Sequence, residues 1–209
     1  MKYSHIIWDF NGTILNDLHP CFLTVNTMLS RRSLPPIESI EKYREVFGFP
    51  IQQYYEQIGF DFQKESYAEL AIEWAELYVE NSKNSPLCEG VREALDFFNA
   101  KGIPQVILSA TETNMLMSQL QPFNIKRYFH EIMALSNLHA VSKIQLAFDW
   151  AREVKPEKAL VIGDTIHDFE TAQAIGADCI LIANGHQSRE RLEQCGVRVA
   201  DSAREIKER

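Results

Sequence analysis

The chain has 209 residues, 45% of them hydrophobic and 24% charged, enough for one well-cored domain with a smaller unit attached. Its net charge of −8, from 21 basic and 29 acidic side chains without any Lys/Arg block, argues against nucleic acid or an anionic membrane as partner. Cys21, Cys88, Cys179 and Cys195 form no C-x-x-C pair, so reduced packing thiols are expected rather than a disulfide framework or a zinc knuckle. The apolar N-terminal run is too short for a signal peptide, and no stretch approaches the roughly 18 apolar residues of a membrane helix. A cytoplasmic protein is the expectation.

In chain order, the first predicted strand is His5–Trp8, an apolar run that stops at Asp9 and is followed by Phe10-Asn11-Gly12-Thr13. The next recognisable strands cover 104–108, 131–135, 159–162 and 179–182. Between them the apolar period changes from 2 to 3.6. Val91, Leu95 and Phe98 mark a helix that Gly102 can cap, and Ser142 precedes a helix carrying Lys143 in its first turn. A short helix over 170–174 stops near Gly176, another spans 188–194, and Ser202-Ala203-Arg204-Glu205 fits the capping box of a last helix. Short strands alternating with helices predict an α/β fold: a Rossmann-like parallel sheet sandwiched by helices.

Between positions 17 and 85 no strand pattern appears. Helix faces such as Phe22, Val25, Leu29 and then Tyr67, Leu70, Trp74, Leu77 and Tyr78 are punctuated by Pro35-Pro36 and Gly48-Phe49-Pro50. The expected division is a core of 1–16 plus 86–209 with an all-helical cap at 17–85. Inserted directly after the Asp9 loop, such a cap sits above the carboxyl edge of the sheet, where open α/β folds bind ligands.

Four segments carry chemistry. Asp9 ends the first strand; Ser109 follows Val106-Ile107-Leu108; Lys143 opens a helix; and Gly163-Asp164-Thr165 with Asp168 follows the strand over 159–162. Singly, each has an ordinary structural explanation: an Asn-Gly turn, a helix cap, a solvated lysine, a capping aspartate. In this order and spacing they resemble the haloacid-dehalogenase-like hydrolase superfamily, in the branch of phosphatases similar to phosphoglycolate phosphatase and β-phosphoglucomutase. Pro86-Leu87-Cys88-Glu89-Gly90-Val91 resembles that family's return from its helical cap, and 172–177 a family segment ending in Gly-Ala.

The resemblance implies a Mg²⁺-dependent phosphatase acting on a small phosphorylated metabolite. Asp9 is then the nucleophile, forming an aspartyl-phosphate. Asp9, Asp164 and the backbone carbonyl of Asn11 are implied metal ligands, with Asp168 ligating or supporting. Ser109, the amide of Ala110, Gly12 and Lys143 are implied to hold the phosphoryl group, and Arg44, in the cap segment that faces the active site in relatives, to reach a substrate anion. One position departs from the motif. Asn11 stands where the family has a second aspartate that protonates the leaving alcohol and later activates water, and an amide does neither. General acid–base help is typically worth ~10²–10⁴ in rate, so acyl and aryl phosphates, which leave without a proton, should suffer least in the first step. Asp17 and His19 lie near enough in sequence to substitute. Two rivals stay open: a catalytically impaired protein that binds phosphate or a partner, and a phosphonate-cleaving relative using a cap lysine, for which Lys42 and Lys64 are the available residues.

Overall fold

The computed structural model describes residues 2–135 and 143–208. The expected N-cap at Ser142 lies outside these residues. Six strands form one parallel sheet in the order β3-β2-β1-β4-β5-β6: β1 His5–Trp8, β2 Gln105–Glu112, β3 Phe129–Leu135, β4 Ala159–Gly163, β5 Asp178–Ile182 and β6 Arg198–Ala200. The helices are α1 Leu18–Arg31, α2 Ile40–Val46, α3 Ile51–Gln57, α4 Tyr67–Ser82, α5 Val91–Ala100, α6 Thr113–Leu120, α7 Lys143–Val154, α8 Ile166–Ala174 and α9 Arg189–Glu193. Short 3₁₀ turns complete the set; the last of them, Ala203–Glu208, stands where a capped α-helix was expected.

Alternation along β1 divides the core. Ile6 and Trp8 pack on one face with Leu95, Phe98, Ile107 and Ile162, while Ile7 packs on the other with Val106, Val161, Ala147 and Leu181. Both faces are covered, so the central strands read as unbroken apolar runs. Each such side chain contributes about 1.5–3 kcal/mol by leaving water. The polar exception on the first face is satisfied internally: the Trp8 indole donates to Gln105 Oε1 (3.0 Å), and Gln105 Nε2 donates to the Leu95 carbonyl (3.0 Å).

Helix ends follow local chemistry. After α5, Gly102 takes φ +66°, and its amide and that of Ile103 reach back to the carbonyls of Asn99 and Phe98, which closes the helix at the expected glycine. β6 went unrecognised in the sequence because it is three residues long and opens on a charged side chain. β2 runs beyond the expected stop at Leu108, carrying Ser109, Ala110 and Thr111 upward past the other strands.

α1–α4 build a separate apolar cluster around Met28, Leu29, Tyr43, Tyr54, Leu70 and Tyr78. The chain enters and leaves this helical insert side by side: Leu15 and Leu87 form an antiparallel bridge, and the amides of Asn16 and Cys88 donate to the carbonyls of Pro86 and Ile14 (both 2.8 Å). The insert thereby stands over the carboxyl edge of the sheet.

Candidate active site at the carboxyl edge

Trp8 pairs with Ile107 on one side and Ile162 on the other, so Asp9, Ser109 and Asp164 emerge from adjacent strands at the same edge. The gap between β1 and β4 is where the direction of winding reverses, the usual position of a ligand crevice. Carboxylate oxygens of Asp9, Asp164 and Asp168 lie within 4.8 Å of one another there. Lys143, at the start of α7 and only 4% exposed, donates through Nζ to Asp9 Oδ1 and to Asp168 Oδ1.

Each acid has its own scaffold. Asp164 Oδ1 accepts from the Thr13 hydroxyl (3.0 Å) and Oδ2 from the His186 amide (2.6 Å). Asp168 Oδ2 accepts from the amides of Asp164 (3.1 Å) and Thr165 (3.0 Å) and from the Thr165 hydroxyl (2.7 Å), so one side chain both caps α8 and brackets Lys143. Asp168 thus caps α8 and at the same time faces Lys143.

Burial pushes Asp9 well above the usual carboxylate range; Lys143 opposes this, and the charges of Asp168 and Asp164 add to it. Burial likewise raises Asp164, to about 6, against the pull of His186. Asp168 is also desolvated, but Lys143 and the Thr165 hydrogen bonds hold it below the ordinary value. Burial would strip Lys143 of its proton were it not for Asp168 and Asp9, which push it upward. The cluster holds three carboxylates against a single lysine. Its donors are hard oxygens, which suits Mg²⁺. Its walls lack Cβ atoms where they come nearest: one at Gly12 would fall 2.2 Å from Asp164 Oδ2, and one at Gly185 the same distance from that atom. The residues present fit the ion.

Ser109 is buried, its Oγ accepting the Thr111 amide at 3.1 Å, while Ala110 is exposed on the cavity wall. Two expected contacts are corrected. Gly12 is not placed to hold a phosphoryl group: at φ +77° its amide turns to Asp17 Oδ1 (2.8 Å) and the Leu15 carbonyl (2.9 Å), and its role is to let the loop pass close to Asp164. Arg44 does not line the cavity. Its guanidinium donates to the carbonyls of Gly185 (2.9 Å) and Asn184 (2.8 Å), because α2 lies against the β5–α9 loop, and it clamps the insert to the core. The lysines considered for phosphonate cleavage also lie elsewhere: Lys42 pairs with Glu45 and Lys64 with Asp61, and neither lines the cavity.

Asn11 is held on every side. Its Nδ2 donates to Asp17 Oδ2 (2.8 Å) and to the Tyr78 hydroxyl (2.7 Å), and its Oδ1 accepts from the Thr111 hydroxyl (2.5 Å). The Tyr78 hydroxyl in turn donates to Asp17 Oδ2 (2.5 Å) and accepts from Gln119 Nε2 (2.9 Å). A fixed carboxylate acceptor opposite the nitrogen makes these surroundings complementary to an amide. Asp17 is held below the usual range by His186 despite its burial, and His186 is raised to about 9 by Asp17 and Asp164 against its own desolvation. His186 Nε2 lies 3.3 Å from Asp17 Oδ1, and Nδ1 lies 3.2 Å from the Tyr43 hydroxyl. Asp17, considered as a substitute acid, thus lines the cavity beside Asn11; His19 is exposed and away from it. His186 escaped the sequence reading, although its place just past the strand over 179–182, at the same edge, was a usable signal. Tyr78 and Thr111 gave none.

Above the cluster lies a cavity of about 860 Å³, floored by Asp9, Ser109, Lys143 and Asp164 and roofed by the insert.

Comparison with known proteins agrees with this geometry. A family model described as haloacid dehalogenase-like hydrolase matches residues 6–182. The chain is 23% identical to phosphoglycolate phosphatase 1 of Pseudomonas aeruginosa, over 96% of this chain and 77% of that one. It is 24% identical to phosphoglycolate phosphatase of Nitrosococcus oceani, over 87% and 84%. Among solved structures, a haloacid dehalogenase-like family protein from Streptococcus pneumoniae superimposes with a TM-score of 0.81 at 17% identity, covering 98% of this chain and 97% of that one. CbbY from Rhodobacter sphaeroides in complex with phosphate gives 0.73 at 17%, over 98% and 96%. With the match running from the first strand through the fifth, the chain belongs to the haloacid dehalogenase-like hydrolase family.

Proposed function

We propose that the chain is a Mg²⁺-dependent phosphomonoester hydrolase that takes the phosphoryl group of a small metabolite onto Asp9. The observation that carries this reading is the position of the Asp9 carboxylate at the winding reversal, with Lys143 on one oxygen and Asp164 close enough to share an ion. The relatives named as phosphoglycolate phosphatases support the reaction class.

Asp9 attacks phosphorus, and the bond from phosphorus to the leaving oxygen breaks. Lys143 balances charge on Asp9 and on the transferring group, and Asp168 keeps Lys143 in place. The Ser109 hydroxyl and the Ala110 amide hold phosphoryl oxygens. Thr13 and the His186 amide fix the orientation of Asp164. Asp9, Asp164 and the Asn11 carbonyl would hold Mg²⁺, which would supply charge neutralisation for an otherwise repelled dianion. Asn11 gives no proton and takes none, so the side chain acts as a strut between β2 and the insert.

A panel of phosphate esters with Mg²⁺, run on wild type, Asp9→Asn and Asn11→Asp, tests the reading. Turnover by wild type that disappears in Asp9→Asn is expected. Equal turnover in Asp9→Asn would refute it. A second reading, phosphate binding without turnover, draws on the fully engaged amide at position 11. It prevails if wild type is inert and Asn11→Asp becomes active.

A further inference from the structure

The roof of the cavity differs from its floor. Phe47, Phe49, Tyr54, Tyr67 and Trp74 line it from the insert, joined by Met115 from α6. These rings are organised: Tyr43 stacks on Phe47 (5.3 Å, 20°), Trp74 on Tyr78 (4.4 Å, 12°), and Phe49 on His167 across the seam with the core (4.6 Å, 23°). Among the described residues lining the cavity, Lys143 is the sole lysine and there is no arginine; residues 136–142 contain neither type. Lys143 already serves Asp9 and Asp168. Glu112 and Glu170 add negative charge to the wall. The other cation on the lining, His186, is already paired with Asp17, so a substrate with a second anionic group in its organic part would lose its hydration there without gaining a free cation.

The Tyr54 hydroxyl is buried, with the residue 4% exposed, and among the described residues it makes no hydrogen bond. That hydroxyl is shielded from the cavity as well, so what this part of the roof offers a substrate is ring surface. The floor adds an independent constraint, since Asn11 cannot protonate a departing oxygen.

We propose that the cavity takes the monophosphate of an aromatic alcohol whose oxygen is a phenol oxygen, with the ring stacked among Phe47, Tyr67 and Trp74. The proposal deepens the phosphatase reading and rests on it. Asp9 Oδ bonds to phosphorus as the phosphorus–aryl oxygen bond breaks, its electron pair leaving on a phenolate that takes a proton from solvent. Water then bonds to phosphorus, releases its proton to solvent and frees the Asp9 carboxylate. The sum is aryl phosphate plus water giving phenol plus inorganic phosphate. A phenolate is stable enough to leave unprotonated, whereas an alkoxide is not, so the roof and the floor select the same substrate class.

The test measures kcat/KM with Mg²⁺ for phenyl phosphate, 1-naphthyl phosphate, a series of substituted phenyl phosphates, phosphoglycolate and glycerol phosphate. Aryl esters are expected to exceed phosphoglycolate by about 100-fold or more, since discrimination here sets a desolvated, unpartnered carboxylate against a stacked ring. Rates should fall steeply as the phenol becomes less acidic, and Trp74→Ala should shrink the ratio of naphthyl to phenyl turnover. Phosphoglycolate or glycerol phosphate matching the aryl esters, with that activity lost in Asp9→Asn, overturns the aryl assignment and leaves the phosphatase reading standing. No hydrolysis of any ester, acetyl phosphate included, together with no phosphoryl transfer to Asp9, overturns the phosphatase reading and this proposal with it.

Discussion

The floor and the roof of the cavity are built on opposite principles. On the floor Asp9, Lys143, Asp164 and Asp168 each have a partner within hydrogen-bond distance, and some do two jobs at once, as Asp168 does in capping α8 while holding Lys143. Across the roof aromatic side chains stack or meet face to edge, and among the described residues the Tyr54 hydroxyl has no partner. A polar network in a dry site permits few alternatives, because a lost partner leaves a buried charge. An aromatic wall tolerates many arrangements of similar volume. In the proposed function, chemistry resides in the floor and selection among substrates in the roof.

The contrast can be broken first at the floor. Gly12→Ala should be the most damaging small change, since the new methyl group falls 2.2 Å from Asp164 Oδ2 and 2.5 Å from His186 Cδ2 at φ +77°. Strain of this kind costs about 1–3 kcal/mol before any clash is relieved. Titration calorimetry should show Mg²⁺ affinity reduced by about 10-fold to 100-fold, the range seen when a ligand's supports are disturbed; unchanged affinity would mean that the close approach is dispensable.

Asn11→Asp comes next. It sets a carboxylate against Asp17 Oδ2, where an amide nitrogen now sits at 2.8 Å. Two buried acids at that distance share a proton, so the folded variant should hold it above the usual carboxylate range. Stability then falls as pH rises through that raised value. Urea unfolding is expected to show a loss of about 3 kcal/mol at pH 8 and a smaller one at pH 5, alongside improved hydrolysis of alkyl phosphates. Equal losses at both pH values would count against the shared proton.

Magnesium should sharpen the same contrast through pH. Asp164 is raised to about 6 in the fold, so its contribution is complete below the unfolded value near 4 and is lost as pH climbs through 6. His186, raised to about 9, contributes fully below roughly 6.5 and loses that contribution as pH climbs through 9. Both trends weaken the metal-free protein as pH rises; the Asp164 term alone is about 3 kcal/mol. Magnesium binds the ionised carboxylates, so its stabilisation in a thermal melt should be larger at pH 8 than at pH 5. A shift of the same size at both would contradict the assignment of Asp164 as a ligand.

Arg44→Ala probes the seam between the two regions and should have the smallest effect. Removing two hydrogen bonds to the Asn184 and Gly185 carbonyls is expected to cost about 1–3 kcal/mol of stability. KM for aryl esters should change less than 3-fold, since Arg191 and Gln187 still hold the Phe47 carbonyl (2.6 and 3.0 Å). A large rise in KM would restore Arg44 as a substrate contact.

Legibility in the sequence follows the same division. Asp9, Ser109, Lys143, Asp164 and Asp168 could be picked out because each follows an apolar run or lies in the first turn of a helix, and because their order and spacing together match one family's motifs. The sheet was readable for that reason, except for the three-residue β6. What Asn11 touches was not readable: Tyr78 lies 67 residues away and Thr111 lies 100, and neither separation leaves a local pattern. The direction of Arg44 was hidden as well, because its partners are backbone carbonyls of a distant loop, which no side-chain identity betrays. Gly12 was expected to hold a phosphoryl group, since motif position does not reveal that its amide turns inward to Asp17.

The central claim is phosphoryl uptake by Asp9 at a site where the amide of Asn11 stands in place of the family's usual acid and base. Wild type mixed with an aryl phosphate and Mg²⁺, quenched in acid within a single turnover and examined by peptide mass spectrometry, should carry one phosphoryl group on the peptide containing Asp9. That species should accumulate, with a burst of phenol ahead of the steady state, because Asn11 does not activate the water that hydrolyses it. Hydrolysis that proceeds with Asp9 never modified, or with the label on another residue, would contradict the account.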